Sequence, residues 1–222
     1  MKLVKIVLPI LALLVVSCSK NNENSNAMNV KLPIGDHSVL YDYSTLTWKG
    51  QKITGSSHTG NLSFKSAKIK ISEDGIISGN LIIDMNTMTC TDIENSKYNK
   101  YLVDHLKNDD FFSVSTFPIA SLNIHSITPV SQNDDLVDNS SLLKGEYLFL
   151  CDLTIKDSTH AIDFIADIKI NKNAAIATGS IEIDRSQFGI KYKSKSWYPD
   201  LGDRFINDIF ELYFNLVAFP KS

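Results

Sequence analysis

The body of the chain alternates polar and apolar residues with a period of two. Eight segments show the alternation, at residues 44–49, 61–71, 77–85, 120–124, 147–155, 162–170, 175–183 and 210–216. This period is typical of half-buried strands, and turn sequences such as Glu73-Asp74-Gly75 separate the segments. A break in the alternation between Phe64 and Ile69 predicts a β-bulge. The pattern predicts an all-β domain, either an antiparallel barrel or a sandwich.

One segment has helical periodicity instead. Tyr98, Leu102 and Leu106 recur at a spacing of four, which predicts a helix between residues 92 and 107. Asp92 and Asn95 are the two candidates for its N-cap. Residues 128–141 are polar and acidic and predict a surface loop. Residues 190–208 have no clean period and predict a long loop that covers one mouth of a barrel.

An eight-stranded barrel has an interior that side chains just fill, or that holds one small apolar ligand. The alternation assigns twelve apolar residues to the interior: Leu46, Trp48, Phe64, Leu81, Ile83, Leu122, Phe149, Phe164, Ile168, Ile181, Phe210 and Phe214. For each, a core role and ligand contact are both open. Small residues on the same faces, such as Gly79 and Gly179, either leave room for a ligand or let bulky neighbours pack.

The N-terminus has the organisation of a bacterial lipoprotein precursor. Two lysines precede an apolar run that ends in Val15-Val16-Ser17-Cys18, which resembles a lipobox. We expect residues 1–17 to be a signal peptide, Cys18 to be lipidated, and residues 18–36 to be a flexible tether. The folded domain is then expected at residues 37–222. Ser19 is not the aspartate that often retains lipoproteins at the inner membrane, which favours the periplasmic side of the outer membrane.

The composition limits the classes of partner, metal and cofactor that we expect. The formal net charge is −3 and no basic run or basic-aromatic patch occurs, so we expect no nucleic-acid partner. The five histidines, His37, His58, His105, His125 and His160, show no metal-ligand spacing, so no metal and no cofactor is expected. Cys90 and Cys151 are open to two interpretations, a disulfide or two buried free thiols.

Several motifs together resemble the YceI-like family. They are Trp48-Lys49-Gly50, His58-Thr59-Gly60, the segment from His105 to Pro118 (HLKNDDFFSVSTFP), Leu153-Thr154-Ile155 with Thr159-His160-Ala161-Ile162, and the segment from Ile183 to Ile190 (IDRSQFGI). The resemblance covers about residues 44–218. This chain departs from the family pattern at Lys156-Asp157-Ser158, where a glycine turn is usual, and in its longer 128–141 loop.

The resemblance implies an eight-stranded antiparallel, lipocalin-like β-barrel with one helix. It also implies a long isoprenoid or other lipid chain inside the barrel and no enzymatic activity. A polar head group would need a cation at the mouth, and Arg185, Lys191 and Arg204 are the candidates, with Lys193 nearby. Arg185 has an alternative role, pairing with a carboxylate or capping backbone carbonyls.

The segment Val103–Pro118 carries a histidine, three aspartates and three phenylalanines. This composition is open to two interpretations: an acid/base site, or a structural clasp, meaning a segment that joins the helix to the barrel. The family resemblance favours a clasp, with the aspartates in the turn after the helix and Phe111 and Phe112 on opposite sides of an extended segment.

Two functions follow. The first is an envelope lipoprotein that sequesters or transports a long apolar molecule. The alternative is a ligand-free barrel that acts as a membrane-tethered interaction or stress-associated module. The oligomeric state is open between monomer and homodimer.

Overall fold

The computed structural model describes residues 34–72, 77–130, 143–170, 174–200 and 202–221. The predicted signal peptide, Cys18 and most of the predicted tether lie outside the described residues. So do residues 131–142 of the predicted acidic loop and the turns at residues 73–76 and 171–173.

The described residues form nine strands and one α-helix. The strands are β1 (Gly35–Val39), β2 (Thr45–Gln51), β3 (Ser57–Ile71), β4 (Ile77–Asp84), β5 (Ile119–Pro129), β6 (Leu143–Ile155), β7 (Ser158–Ile170), β8 (Ala175–Asp184) and β9 (Ile209–Pro220); the helix is α1 (Ser96–Lys107). Four short 3-10 turns lie at Tyr41–Tyr43, Met85–Thr87, Arg185–Phe188 and Gly202–Arg204.

The strands close into one antiparallel barrel with eight positions. The ring runs β2, β9, β8, β7, β6, β5, β4 and β3, and β3 returns to β2. β1 adds no ninth position, because it pairs with β3 and β9, the same two strands that flank β2. β1 and β2 are therefore successive pieces of one staggered strand, joined by the Tyr41–Tyr43 turn. This closure confirms the predicted eight-stranded barrel and removes the exposed edges that an open sheet would have.

The register places the predicted apolar faces inside. On β6, for example, Phe149 is 4% exposed whereas its neighbour Leu150 is 44% exposed. The predicted bulge is present, since the β3–β4 register shifts between Phe64 and Ser66. β5 has a second irregularity between Ile124 and Ser126 that the sequence pattern did not predict.

The helix begins later than the earliest predicted residue because Asn95 is its cap. The Asn95 side chain accepts hydrogen bonds from the backbone N–H groups of Lys97 and Tyr98, at 3.1 and 3.2 Å. These are two of the donors that a helix start leaves without internal partners. Asp92, the other candidate, instead accepts from the Thr59 N–H and pairs with His58.

The two ends of the barrel differ. At the helix end, strands are joined by residues 52–56, by residues 85–118 with α1, and by residues 185–208. At the opposite end, β1 begins at Gly35 and β9 finishes at Pro220. The predicted loop at residues 190–208 belongs to the helix end, where Tyr192 packs against His105 of the helix.

Candidate functional site: an apolar barrel interior

A large, mostly apolar space lies beneath the helix. This helix-end cavity has a volume of about 460 Å³ and is bounded by the barrel mouth, α1 and the 185–208 connection. Its apolar lining includes Leu102 and Leu106 from the helix, Phe111 and Phe112 from the following turn, and Ala120 from β5. Ligand sites of small molecules typically measure about 300–1,000 Å³, so this cavity has room for a ligand.

A second, smaller cavity continues deeper into the barrel. This inner cavity has a volume of about 90 Å³. Four residues, Ile83, Leu153, Ile183 and Leu212, line both cavities, so the two adjoin along the barrel axis. The interior is thus neither fully hollow nor fully filled: side chains occupy most of the deep part, and open space remains beneath the helix.

Aromatic packing explains why the deep part is narrow. The rings of Phe149 and Phe164 stack with centroids 4.8 Å apart, and Phe214 meets Phe164 edge to face at 5.8 Å. Gly179 allows this arrangement, because a Cβ there would lie 3.1 Å from the Phe214 ring and 2.9 Å from the Ala166 Cβ. At Gly179 the small residue therefore serves packing rather than ligand space.

All twelve residues that the alternation assigned to the interior face it. Ten line the inner cavity: Leu46, Phe64, Leu81, Ile83, Leu122, Phe149, Phe164, Ile168, Ile181 and Phe214. Trp48 and Phe210 line the helix-end cavity, and Ile83 lines both. The structure thus places most of the predicted set around the narrow part, and their contact with a ligand stays a prediction.

Much of the larger cavity is built from residues that the alternation did not select. Met88, Tyr98, Tyr101 and Tyr192 lie on the helix or on connections rather than on strands. Only the helical spacing of Tyr98, Leu102 and Leu106 gave a signal for this part. A cavity roofed by irregular segments leaves no single period in the sequence.

Arg185 holds the helix end of the barrel together. Its side chain is 4% exposed and donates hydrogen bonds to the backbone carbonyls of Asn207, Ile190, Tyr192 and Ile206, at 2.9–3.1 Å. Its Nη2 atom also forms an ion pair with Asp208 Oδ1 at 3.2 Å. A buried guanidinium with these partners ties the long connection to the barrel.

This arrangement matches the alternative role expected for Arg185, and it leaves the guanidinium little hydrogen-bonding capacity for a ligand head group. Burial lowers the pKa of Arg185, and the neighbouring charges of Asp208 and Asp184 oppose that effect. Head-group contact by this side chain would require it to give up hydrogen bonds that fix the barrel mouth. Such losses leave buried carbonyls without donors, at about 1–3 kcal/mol each.

The other predicted cations lie away from the inner cavity. Lys191 Nζ lies 3.8 Å from the centre of the Trp197 ring, and both residues are outside the cavity lining beneath the helix. Arg204 lies in the short Gly202–Arg204 turn and lines neither cavity. Lys193 does line the helix-end cavity, and its Nζ lies 5.3 Å from the Tyr192 ring. Of the predicted cations, Lys193 therefore has the best position at the mouth.

The segment after the helix is a clasp of consecutive turns. His105 Nε2 lies 2.9 Å from Asp110 Oδ2, and the His105 ring packs edge to face on Phe111 and Tyr192. Asn108, rather than an aspartate, holds the turn: its side chain accepts from the Asp110 N–H at 2.9 Å.

The expectation of an extended segment here is wrong. Residues 109–112 form turns, with the Phe112 N–H donating to the Leu106 carbonyl, so Phe111 and Phe112 both line the same cavity instead of opposite sides.

A polar strip beside β3 carries the other family motif. The first half of β3 does not pair with β4, and residues 87–92 supply hydrogen-bond partners for its backbone instead. The Asn61 and Ser63 N–H groups donate to the hydroxyls of Thr89 and Thr87. Gly60 makes this possible, because a Cβ there would lie 1.8 Å from the Thr89 carbonyl oxygen. Trp48 Nε1 donates to the same oxygen at 3.0 Å, which fixes the indole in the cavity wall.

His58 and Cys90, both near the cavity, share Asp92 as a structural partner. His58 Nδ1 lies 2.9 Å from Asp92 Oδ2, and the Cys90 thiol donates to Asp92 Oδ1 at 3.2 Å. Among the residues that the structure describes, no three His, Cys, Asp or Glu side chains cluster as a metal site. Within the same residues, no helix is long and apolar enough to cross a membrane.

Both cysteines of the described barrel are buried free thiols. Burial raises the pKa of the Cys151 thiol to about 12, and burial together with the Asp92 hydrogen bond raises that of Cys90. Of the two interpretations left open by the sequence, the structure shows the thiols and not the disulfide.

The fold and its interior define a class: a lipocalin-like antiparallel barrel, closed by a helix at one end, around an apolar cavity of ligand size. Residues 37–218 match the family model described as the YceI-like domain, and the chain therefore belongs to the YceI-like family.

Solved structures agree on the fold. BcnA of Burkholderia cenocepacia superposes with a TM-score of 0.60 at 21% sequence identity, covering 81% of this chain and 99% of BcnA. A polyisoprenoid-binding domain from Saccharophagus degradans, implicated in plant cell wall breakdown, gives a TM-score of 0.57 at 15% identity, covering 83% of this chain and 98% of that one. Comparison with curated protein sequences found no significant match.

Proposed function

We propose that this protein binds a long apolar ligand, an isoprenoid or another lipid chain, inside its barrel and thereby sequesters or transports it. The observation that carries the proposal is the apolar cavity of about 460 Å³ beneath the helix, which shares four lining residues with the inner cavity. The family membership and the likeness to a domain named for polyisoprenoid binding support the same ligand class.

Burial of methylene groups supplies the affinity. Each buried CH₂ is worth about 0.8 kcal/mol before the costs of ordering the chain are subtracted. The lining residues Leu62, Met88 and Leu106 offer such apolar contact without any charge. Lys52 and Lys193 at the same cavity are available for a polar or anionic end of the ligand.

Binding rather than catalysis is the function that fits these side chains. Arg185, His58 and His105 all line the cavity, and each already has a structural carboxylate partner. The hydrogen bonds of Arg185 to backbone carbonyls and the packing of His105 on Phe111 and Tyr192 hold the barrel mouth together, which is a structural role.

We place this binding activity in the cell envelope. The support is the lipoprotein-like N-terminus, in which an acylated Cys18 would anchor the barrel to the periplasmic face of the outer membrane through the tether of residues 18–36. Replacement of Cys18 by serine is expected to abolish incorporation of radiolabelled palmitate and to release the protein from the membrane fraction. Retention of both signals in the variant would contradict the anchor.

A cavity-filling substitution tests the ligand site. Ala120 is 6% exposed and lines the helix-end cavity, whereas Ser121, the next residue of β5, is half-exposed on the outer face. Ala120→Trp is expected to remove most of the bound lipid that solvent extraction and mass spectrometry recover from the purified protein, and Ser121→Trp is expected to leave it unchanged.

The control measurement is the circular dichroism of both variants, which must remain that of the folded barrel. Equal lipid content in Ala120→Trp and wild type would show that the ligand does not occupy this cavity. A wild-type protein free of lipid, which also takes up no added chain, would favour the alternative of a ligand-free interaction module.

A further inference from the structure

One buried polar group in the barrel has no hydrogen-bond partner among the described residues on its cavity side. His37 lies on β1 opposite Ile69 and Pro220, is 4% exposed, and lines the inner cavity. Every other described residue of that lining is apolar. Its Nε2 atom is buried and receives no hydrogen bond from the residues that the structure describes.

The other ring nitrogen fixes the chemistry that Nε2 offers. His37 Nδ1 lies 3.2 Å from the backbone carbonyl oxygen of Gly35. A carbonyl only accepts, so Nδ1 carries the proton, and in the neutral ring Nε2 then carries a lone pair. The inner cavity therefore presents one hydrogen-bond acceptor in an otherwise apolar surface, which is costly to leave unmatched.

We infer that His37 is a hydrogen-bonding anchor for a ligand whose apolar chain ends in a neutral O–H or N–H donor. This inference rests on the proposed function and specifies, in addition, that one end of the ligand is a neutral hydrogen-bond donor. A phosphate or other anion at this end is disfavoured, because the neutral ring offers an acceptor at Nε2 and, among the described residues, no lysine or arginine lines the inner cavity.

The two cavities set how such a ligand lies. The inner cavity of about 90 Å³ takes only the end of a chain, so the remainder would have to pass the side chains of Ile83, Leu153, Ile183 and Leu212, which line both cavities, to reach the helix-end cavity. On β9, Leu212 and Pro220 are separated by eight residues, roughly 26 Å along the strand and roughly 20 Å along the axis of a tilted barrel. The ligand must be long enough to span this distance.

Three matched probes distinguish the contribution of the O–H donor to binding from that of the oxygen atom and that of the apolar chain. The full-length protein, freed of bound lipid, is incubated with equal amounts of 1-hexadecanol, its methyl ether and hexadecane, and the bound fraction is extracted and measured by gas chromatography. The ether keeps the oxygen but lacks the donor. We expect the alcohol to be enriched roughly tenfold over both others, as one hydrogen bond allows.

Variants assign the preference to one side chain. In His37→Phe the enrichment is expected to fall to about onefold, while total chain binding is retained. Ser38→Ala changes the exposed neighbour of His37 on β1, which lines neither cavity, and is expected to keep the preference. A preference that survives in His37→Phe overturns the inference, as does a wild-type protein that binds the three probes equally; in both cases the proposed function stands. Failure to bind any probe overturns both.

A second measurement needs no variant. In protein labelled with ¹⁵N-histidine, one ring-nitrogen resonance is expected to shift on addition of 1-hexadecanol and not on addition of the ether. Identical spectra with alcohol and ether contradict the assignment, even if His37→Phe does not fold.

Discussion

Gly60 offers the sharpest test of how the barrel holds its cavity wall. A Cβ at this position would lie 1.8 Å from the Thr89 carbonyl oxygen and 2.7 Å from Trp48 Cε2. Gly60→Ala is therefore possible only if the Thr89 backbone moves out of hydrogen-bonding distance. The backbone at Gly60 is not in the left-handed region, so the predicted cost comes from the clash and not from a lost conformation.

Three hydrogen bonds depend on that contact. Trp48 Nε1 donates to the Thr89 oxygen at 3.0 Å, the Thr89 N–H donates to the Asn61 carbonyl at 3.0 Å, and the Asn61 N–H donates to the Thr89 hydroxyl at 3.1 Å. At about 1 kcal/mol each, their loss predicts a destabilisation of about 3 kcal/mol. Because Trp48 lines the helix-end cavity, we also expect weaker ligand binding.

Gly50 provides the matched control. It lies on β2, and a Cβ there would meet nothing within 4 Å. Urea unfolding followed by circular dichroism should show a decrease of about 3 kcal/mol in unfolding free energy for Gly60→Ala and a change of only about 0.5 kcal/mol for Gly50→Ala. Equal costs for the two variants would refute the close-contact argument.

Three further predictions concern charge, thiols and the helix. The pKa of Asp208 lies below its ordinary value: burial acts to raise it, but hydrogen bonds, including those from Ser196, and the Arg185 charge outweigh burial. The stability that this carboxylate provides is thus present above its unfolded pKa of about 3.9 and is lost as pH falls through the lower folded pKa. Asp208→Asn should therefore reduce the decrease of the unfolding free energy between pH 6 and 3. An unchanged decrease would contradict the pairing. Cys151, with its pKa raised to about 12, should resist iodoacetamide at pH 8 in the native protein and react only after unfolding. Peptide mass spectrometry measures the modification, and a modified Cys151 in the native protein would show that the thiol is accessible. Asn95→Ala should cost about 1 kcal/mol through the lost helix cap, whereas Glu94→Ala should not, and equal thermal shifts would argue against the cap.

The period-two alternation predicted the strands well because a closed barrel buries one face of every strand. It assigned Phe149 to the interior and Leu150 to the exterior, and the bulge after Phe64 was visible as a break in the same pattern. β1 was missed because it is a five-residue piece whose inward positions include a histidine, His37, where the pattern expects an apolar residue.

The helix end was less predictable because its geometry comes from irregular chain. The sequence suggested that Arg185 pairs with a carboxylate or caps carbonyls, but it could not show which ones, since the four carbonyls are spread along the 185–208 connection. The turn after the helix resembles an extended segment in composition, yet hydrogen bonds to Leu106 and Asn108 fold it back beneath the helix. Tertiary partners, not local propensity, decide these segments.

The position of a bound chain can be measured directly, because the protein has two tryptophans in contrasting places. Trp48 lines the helix-end cavity, whereas Trp197 is 47% exposed and lies outside it. Trp197→Phe leaves Trp48 as the only indole, and Trp48→Phe leaves Trp197. A long alcohol carrying bromine atoms along its chain quenches the fluorescence of an indole that it touches.

If the chain lies beneath the helix, we expect saturable quenching in the Trp197→Phe protein and little in the Trp48→Phe protein. Quenching of Trp197 alone, or the absence of saturable quenching in either variant, would contradict the central claim that a long apolar ligand occupies the cavity beneath the helix.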